Sequence, residues 1–318
     1  MAAAAPHAPR RILIAGREGQ LAQALLPAFL GAGDTVLALG RPALDLAGPA
    51  ASIAATIEAF APDLVINAAA YTAVDHAEAE PAAAMAVNRD GAGTLAAAAA
   101  ACGAALLHVS TDYVFDGGKG TPYHEADPVS PLGAYGRSKQ LGERRVLEAN
   151  PRAAILRTAW VCSPTGTNFL RTMLRLALVR DEIGVVDDQR GAPIFAADLA
   201  AAIRRMAPRL IAAPAGAEAF GVFHLSGTPD TTWHGFAEAI FAGAARRGHP
   251  APRLRAITTA DYPTRARRPA DSRLDCSRIR RVHGIARPDW RRGLDAALDA
   301  LLRPTTDATA SGHFREQV

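Results

Sequence analysis

The sequence predicts an α/β fold built on a doubly wound parallel sheet, followed by a smaller C-terminal α/β unit. Three observations carry that expectation. From residue 11 to residue 161, short apolar runs of strand length alternate with stretches of helical length; such alternation closes as right-handed units with helices on both faces of a parallel sheet. The first apolar run ends in glycine and opens directly into a helix, the kind of turn through which these sheets hold phosphate groups. Beyond Cys162 the alternation loosens into loops and shorter elements, which predicts a change of architecture near residue 162.

Taken in order, "RILIAG" (11–16) reads as a strand and tight turn, and "LAQALLPAFLGAG" as the first helix. "TVLALG" (35–40) is the second strand, "AASIAATIEAFAP" (50–62) the second helix and "DLVINAA" (63–69) the third strand. A long helix fits 81–101, the strand "AALLHVS" follows at 104–110, then a helix containing Tyr135 and the strand "AAILRTAWV" (153–161). Later, "TNFLRTMLRLALVR" (167–180), "HGFAEAIFAGAARR" (234–247) and "RPDWRRGLDAALDALL" (287–302) read as helices, and "IGVVDD" and "GVFHLSG" as strands. The expected organisation is a flexible lead at 1–10, a nucleotide-binding domain at 11–161, a mainly substrate-binding unit at 162–303 and a loose tail at 304–318. Segments within 185–230 are expected to return to the first sheet.

Composition narrows the function classes. The chain has 318 residues and a formal charge of +4, enough length for a large core. The arginines that thicken after Arg246 lack interleaved aromatics, which argues against nucleic acid and leaves a phosphorylated small molecule as the acidic partner. No run of about eighteen apolar residues lacks charge, and "MAAAAPHAPR" has no apolar core of signal-peptide length. Cys102, Cys162 and Cys276 are far apart and in no C-x-x-C pairing, so no disulfide framework, zinc site or other metal is expected, and a reducing cytoplasm fits.

The chemistry begins at "AGREGQLAQAL", where Gly16 and Gly19 flank the first strand-to-helix turn. A pyrophosphate can approach that bare backbone and meet the positive helix end; as an ordinary turn it would also suit many α/β proteins. Some twenty residues on, where an NAD site places an acid, the chain reads Gly40-Arg41. Arg41 and Arg17 are placed to grip a 2′-phosphate, so NADPH is expected, with NADH also possible. In "AYGRSKQLGE", Tyr135 and Lys139 share one helix face, and only two of the thirty-five basic residues are lysines, which singles out the compact cation at 139. A nearby ammonium is expected to lower the phenol pKa of Tyr135 from about 10. Thr111, in the strand-end "STDYVFDG", is placed to hold that phenol in line with a carbonyl oxygen.

These motifs resemble the extended short-chain dehydrogenase/reductase superfamily and, within it, the sugar-nucleotide 4-keto reductases that form dTDP-L-rhamnose. The resemblance runs from about residue 11 to about 300 and rests on "GREGQL", "PDLVINAAAYTAVDHAEAEP", "HVSTDYVFDG", "SPLGAYGRSK", "LRTAWV", "DDQRGAPI", "TTWH" and "RPADSRLD". It implies a Rossmann-type fold and a dTDP-linked 4-keto-6-deoxy sugar as substrate. It implies that Gly19, Gln20 and Leu21 hold pyrophosphate, that Asp45 and Leu46 contact adenine, and that Ala69, Ala70 and Tyr71 lie along the cofactor. It makes Thr111, Tyr135 and Lys139 the catalytic trio, puts Asp112 and Trp160 toward the sugar, and puts Arg268 and Ser272, in "RRPADSRLD", in the nucleotide-sugar pocket. Some relatives pair through magnesium held by glutamates, one in the first helix; "LAQALLP" has no acid, so a homodimer, if formed, is expected without that bridge. Talose-forming reductases, epimerases and a regulatory NADP-binding subunit of methionine adenosyltransferase share this pattern and stay open at this level.

Overall fold

A computed structural model of the chain describes residues 9–302. Most of the expected lead, and the whole of the expected tail at 304–318, lie outside those residues. In chain order, β1 (Arg11–Ala15) leads into α1 (Gln20–Leu30), β2 (Thr35–Leu39) into α2 (Ala50–Phe60), and β3 (Leu64–Asn67) into a helical stretch. That stretch comprises α3 (Val74–Ala77), α4 (Pro81–Met85), a π-helical turn at Ala86–Gly91 and α5 (Ala92–Ala101). It is the helix expected at 81–101, with one turn widened. Next come β4 (Ala105–Thr111), a 3-10 turn at Asp112–Val114, α6 (Ala134–Ala149) and β5 (Ala153–Thr158).

The later chain runs through β6 (Val161–Cys162), α7 (Phe169–Ala177), β7 (Glu182–Val186), β8 (Arg190–Gly191) and β9 (Ile194–Phe195). It continues with α8 (Ala196–Ala212), β10 (Gly221–His224), β11 (Thr231–Thr232), α9 (Trp233–Ala245), β12 (Arg253–Ile257), α10 (Ser277–His283) and α11 (Trp290–Leu302). Helix α8 has no counterpart in the sequence reading. Its alanines blur the contrast between faces and Pro208 interrupts its pattern, so its helicity rests on packing against α1.

Six parallel strands form the sheet in the order β2-β1-β3-β4-β5-β10. Strands β3, β4 and β5 are buried almost throughout, the pattern of central parallel strands covered on both faces. Alternation along β1 divides two cores: Ile12 and Ile14 face α1, α8 and α10, while Leu13 and Ala15 face α2 and α5. The chain leaves β1 for β2 on one side and returns to β3 on the other, so the crevice opens at the carboxyl ends of β1 and β3. Residues Gly16, Gly40, Ala68 and Thr111 stand along that edge. A third core, centred on Leu170, Phe236, Ile240 and Trp290, joins α7, α9 and α11. Helix α8 and strand β10 pack with the main sheet, as does α10 from much later in the chain.

Candidate active site

The first wall is the β1–α1 turn. Gly16 has φ +113°, a conformation that side chains resist, and a Cβ there would lie 3.2 Å from the Ala69 nitrogen. Gly19 caps α1 without any side-chain hydrogen bond to the helix end, and a Cβ added there would meet nothing within 4 Å. The first N–H groups of an eleven-residue helix are therefore presented bare at the crevice. Gln20 reaches sideways, its Oε1 accepting from Asn168 Nδ2 at 2.8 Å, and Leu21 sinks its side chain into the core. Both positions lie in the first turn of α1, beside the bare helix end.

Arg17 and Arg41 are exposed, and Arg17 packs against Gly40, whose added Cβ would touch Arg17 Cβ at 3.2 Å. Both arginines thus stand near the end of β2, where an acid would have opposed a 2′-phosphate. Asp45 closes its own turn by accepting from Ala47 N–H at 2.9 Å, beside the buried Leu46. Ala69 N–H donates to Asn67 Oδ1 at 3.2 Å; Tyr71 N–H donates to Asn88 Oδ1 at 2.8 Å, and its phenol donates to Glu80 at 2.8 Å. With Ala70 between them, these residues form a small-side-chain wall facing the glycine turn. A bare helix end, a glycine floor and two exposed arginines, Arg17 loosely paired with Glu18 at 3.5 Å, fit a phosphorylated dinucleotide.

Helix α6 supplies the second wall. Tyr135, Lys139 and Glu143 recur every fourth residue and so form one stripe, directed at β4. Thr111 Oγ1 accepts from Tyr113 N–H at 3.2 Å and its hydroxyl donates to Asp112 Oδ1 at 3.1 Å; it also lies close enough to the Tyr135 phenol to favour its ionised form. Lys139 is buried, its Nζ donating to Val109 O at 2.8 Å and lying 3.1 Å from His108 Nε2. Glu143 accepts from Ser110 and from the Arg157 guanidinium at 2.7 Å. Tyr113 stacks edge-on to Tyr135, ring centroids 5.7 Å apart.

One expectation is corrected here. Burial pushes the Tyr135 phenol up to about 12, with the Asp112 carboxylate adding to it and only the Thr111 hydrogen bond opposing. The Lys139 amine, held against β4, does not offset that desolvation, and burial lowers its own pKa to about 8. Burial also raises Asp112 to about 6. Ser272 lies close enough to oppose that rise, yet Asp112 Oδ2 has no hydrogen-bond partner.

The third wall comes from the later chain. Trp160 adopts φ +48°, rare for so bulky a residue, and stacks on Trp233 with ring centroids 3.6 Å apart and an interplanar angle of 11°. Ser272 N–H donates to Arg190 O at 2.9 Å, joining the "DDQRGAP" and "RRPADSRLD" loops. Arg268, expected in the nucleotide-sugar pocket, is tied to its own loop and to α3. Its Nη2 donates to Asp75 at 2.8 Å and its Nη1 to Thr264, which clamps the late loop onto α3.

The structure thus unites Thr111, Asp112, Tyr135 and Lys139, brings Ser272 to Asp112, and sets the glycine turn and Ala69 on the same edge. Asn67, Asn88, His108, Glu143 and Trp233 were not anticipated. Glu143 was legible as the next member of the Tyr135 stripe; His108 was hidden inside an apolar strand. Among the described residues, no group of three or more His, Cys, Asp or Glu could hold a metal ion, and no helix is long and apolar enough to cross a membrane.

A doubly wound sheet with a bare α1 terminus and a Tyr–Lys face set against a strand-end threonine defines a class: the short-chain dehydrogenase/reductase oxidoreductases of Rossmann type. Within it, the chain belongs to the family described as RmlD substrate binding domain, whose model matches residues 10–303. A curated dTDP-4-dehydrorhamnose reductase of Sinorhizobium fredii is 45% identical over 298 residues, spanning 94% of this chain and 100% of that one. A reductase of the same name from Clostridium acetobutylicum superposes with a TM-score of 0.85 at 33% identity, covering 91% of this chain and 99% of that structure. The Bacillus anthracis reductase, solved in complex with NADP, gives 0.85 at 31% identity over 92% of this chain and 100% of that structure.

Proposed function

We propose that this chain reduces the 4-keto group of dTDP-4-dehydro-L-rhamnose to give dTDP-L-rhamnose, with NADPH as the preferred donor and NADH as a weaker one. The observation that carries the reading is the Thr111 hydroxyl set beside the buried Tyr135 phenol at the crevice edge, on a chain whose full-length curated relatives bear that activity in their names.

The N–H groups of Gly19, Gln20 and Leu21 hold the pyrophosphate, while Arg17 and Arg41 hold the 2′-phosphate. Asp45 and Leu46 meet the adenine, and Ala69, Ala70 and Tyr71 line the remainder. When bound, the nicotinamide supplies the hydride to carbon 4 of the sugar. Tyr135, whose phenol stays protonated at neutral pH, donates its proton to the developing alkoxide oxygen, and Thr111 keeps that proton in line. Lys139 in its charged form stabilises the resulting tyrosinate. Asp112 Oδ2, buried without a partner, accepts from a sugar hydroxyl, and Trp160, backed by Trp233, forms the apolar wall. Ser272 and the clamped Arg268 loop close the nucleotide side, and the core from Cys162 onward serves as the substrate-binding unit. The three cysteines are free, in keeping with a cytoplasmic setting, and α1 carries no acid in its first turn, in keeping with pairing, where it occurs, without a glutamate-held magnesium ion.

The test follows NADPH and NADH oxidation by absorbance with dTDP-4-dehydro-L-rhamnose generated in situ and the product sugar identified by NMR. Rapid oxidation to dTDP-L-rhamnose is expected. Tyr135→Phe should lower turnover by about two to four orders of magnitude, as for a positioned acid, with cofactor affinity kept. Tight NADP binding without oxidation would overturn the proposal in favour of an epimerase or a regulatory subunit, and a talose product would overturn its stereochemistry.

A further inference from the structure

His108 has no place in the chemistry above, yet it touches that machinery from behind. It is fully buried in β4, where an imidazole is tolerated only if both nitrogens are paired. Its Nδ1 lies 3.0 Å from Asn67 Nδ2, on the strand directly alongside in register. Its Nε2 lies 3.1 Å from Lys139 Nζ. Asn67 in turn accepts from the Ala69 N–H through Oδ1, on the wall facing the glycine turn.

We propose that His108 and Asn67 are positioning residues for Lys139, and that they couple the charge of its amine to the Ala69 wall through the tautomer of the His108 ring. Because Ala69 N–H takes the Asn67 oxygen, the Asn67 amide presents its NH2 to His108. Nδ1 must then accept, so the neutral ring carries its proton on Nε2. That proton can be satisfied only by a lone pair on Lys139, which means an uncharged amine donating its own proton to Val109 O. An ammonium at the same place demands the opposite: Nε2 accepts, Nδ1 carries the proton, and the Asn67 amide must turn over, which releases the Ala69 N–H. Charging Lys139, moving the ring proton and freeing Ala69 are one linked event.

The groups that bear on this charge are few. Glu143, one turn along α6, favours the ammonium, and Glu143 is itself held by Arg157 from β5. His108 stays neutral throughout, since burial and the Lys139 charge both depress its pKa well below the ordinary value. Tyr135 stands one turn before Lys139 on the same face. The coupling rests on the proposed roles of Tyr135 and Lys139, but its first test does not use turnover.

The experiment is 15N NMR of the imidazole nitrogens in the cofactor-free chain, with the His108 signals assigned by their loss in His108→Gln. The expected result is a ring that stays neutral while its proton moves from Nδ1 to Nε2 as the pH rises through about 8, where Lys139 loses its charge. A single tautomer across that range, or an imidazole that becomes cationic near its ordinary pKa, would overturn the coupling. Turnover is then compared across pH. His108→Leu should lower kcat about tenfold and displace the pH limb set by Lys139 with KM little changed, whereas His108→Gln, which keeps a polar atom against the amine, recovers most of the loss. Equal kcat and an unmoved limb in His108→Leu would make His108 a core residue only. Tyr135→Phe run alongside separates the cases: full activity there removes the underlying mechanism, while an inactive Tyr135→Phe beside a normal His108→Leu removes this inference alone.

Discussion

Replacing Gly191 with alanine perturbs the sugar-facing wall at one point and leaves the cofactor side alone. An added methyl group would lie 2.7 Å from Trp160 Cε2, 2.8 Å from Cζ2 and 3.0 Å from Nε1. Ordinary carbon contacts need roughly 3.5 to 4.0 Å, so the indole must retreat by about 1 Å. The indole is stacked on Trp233, and Trp233 leans on Phe169 at 4.7 Å, so the ring has little freedom to move. The backbone of Gly191 cannot yield easily, because β8 is paired with β11. If the ring stays, overpacking costs about 1 to 3 kcal/mol; if it swings out, an aromatic stack of about 0.5 to 1.5 kcal/mol is lost. With about 1.4 kcal/mol per factor of ten, KM for the sugar nucleotide should rise about tenfold while NADPH affinity is kept. Near-UV circular dichroism should lose the signal of the coupled indole pair. A Gly191→Ala protein with wild-type near-UV signal and KM would refute both the packing argument and the placement of Trp160 beside the sugar.

Asp112 gives a pH prediction. Its folded pKa of about 6 lies above the ordinary carboxylate value of 3.8, so the folded state binds this proton more tightly than the unfolded chain. Stability from this group is therefore present below about pH 4 and lost as pH rises through about 6, a difference of about 3 kcal/mol. Asp112→Asn should flatten that part of the stability curve and raise the Tm at pH 7.5 while weakening sugar binding; a wild-type pH dependence in thermal melts would count against it. Glu143→Gln strips one partner from the buried Glu143–Arg157 pair and should destabilise by about 3 to 5 kcal/mol, read by urea denaturation, whereas a change below about 1 kcal/mol would show the pair to be dispensable. The double variant Arg17→Ser with Arg41→Ser should shift the ratio of kcat/KM for NADPH over NADH toward NADH by at least tenfold, and an unchanged ratio would remove both residues from the 2′-phosphate site.

Much of the first half was legible because its signals are local. Strand and helix periods from Arg11 to Thr158 arise from side chains a few residues apart, and Tyr135 and Lys139 meet through the pitch of a single helix. The expected depression of the Tyr135 pKa failed for a tertiary reason: spacing places the amine on the right face but says nothing of how deeply both groups are buried, or that β4 captures the amine first. The pairing of Arg268 was not legible because Asp75, its partner, lies nearly two hundred residues earlier.

The sequence by itself determined the alternation of elements, the glycine turn, the missing acid after β2 and the order Thr111, Tyr135, Lys139, since each depends on neighbours along the chain or on a side chain's own chemistry. Only the tertiary structure decided that α8 is a helix, that Trp160 touches both Gly191 and Trp233, and that His108 meets Lys139. Those facts depend on which distant surfaces exclude water together, and burial, which sets both packing and proton affinity, is a property of the assembled chain.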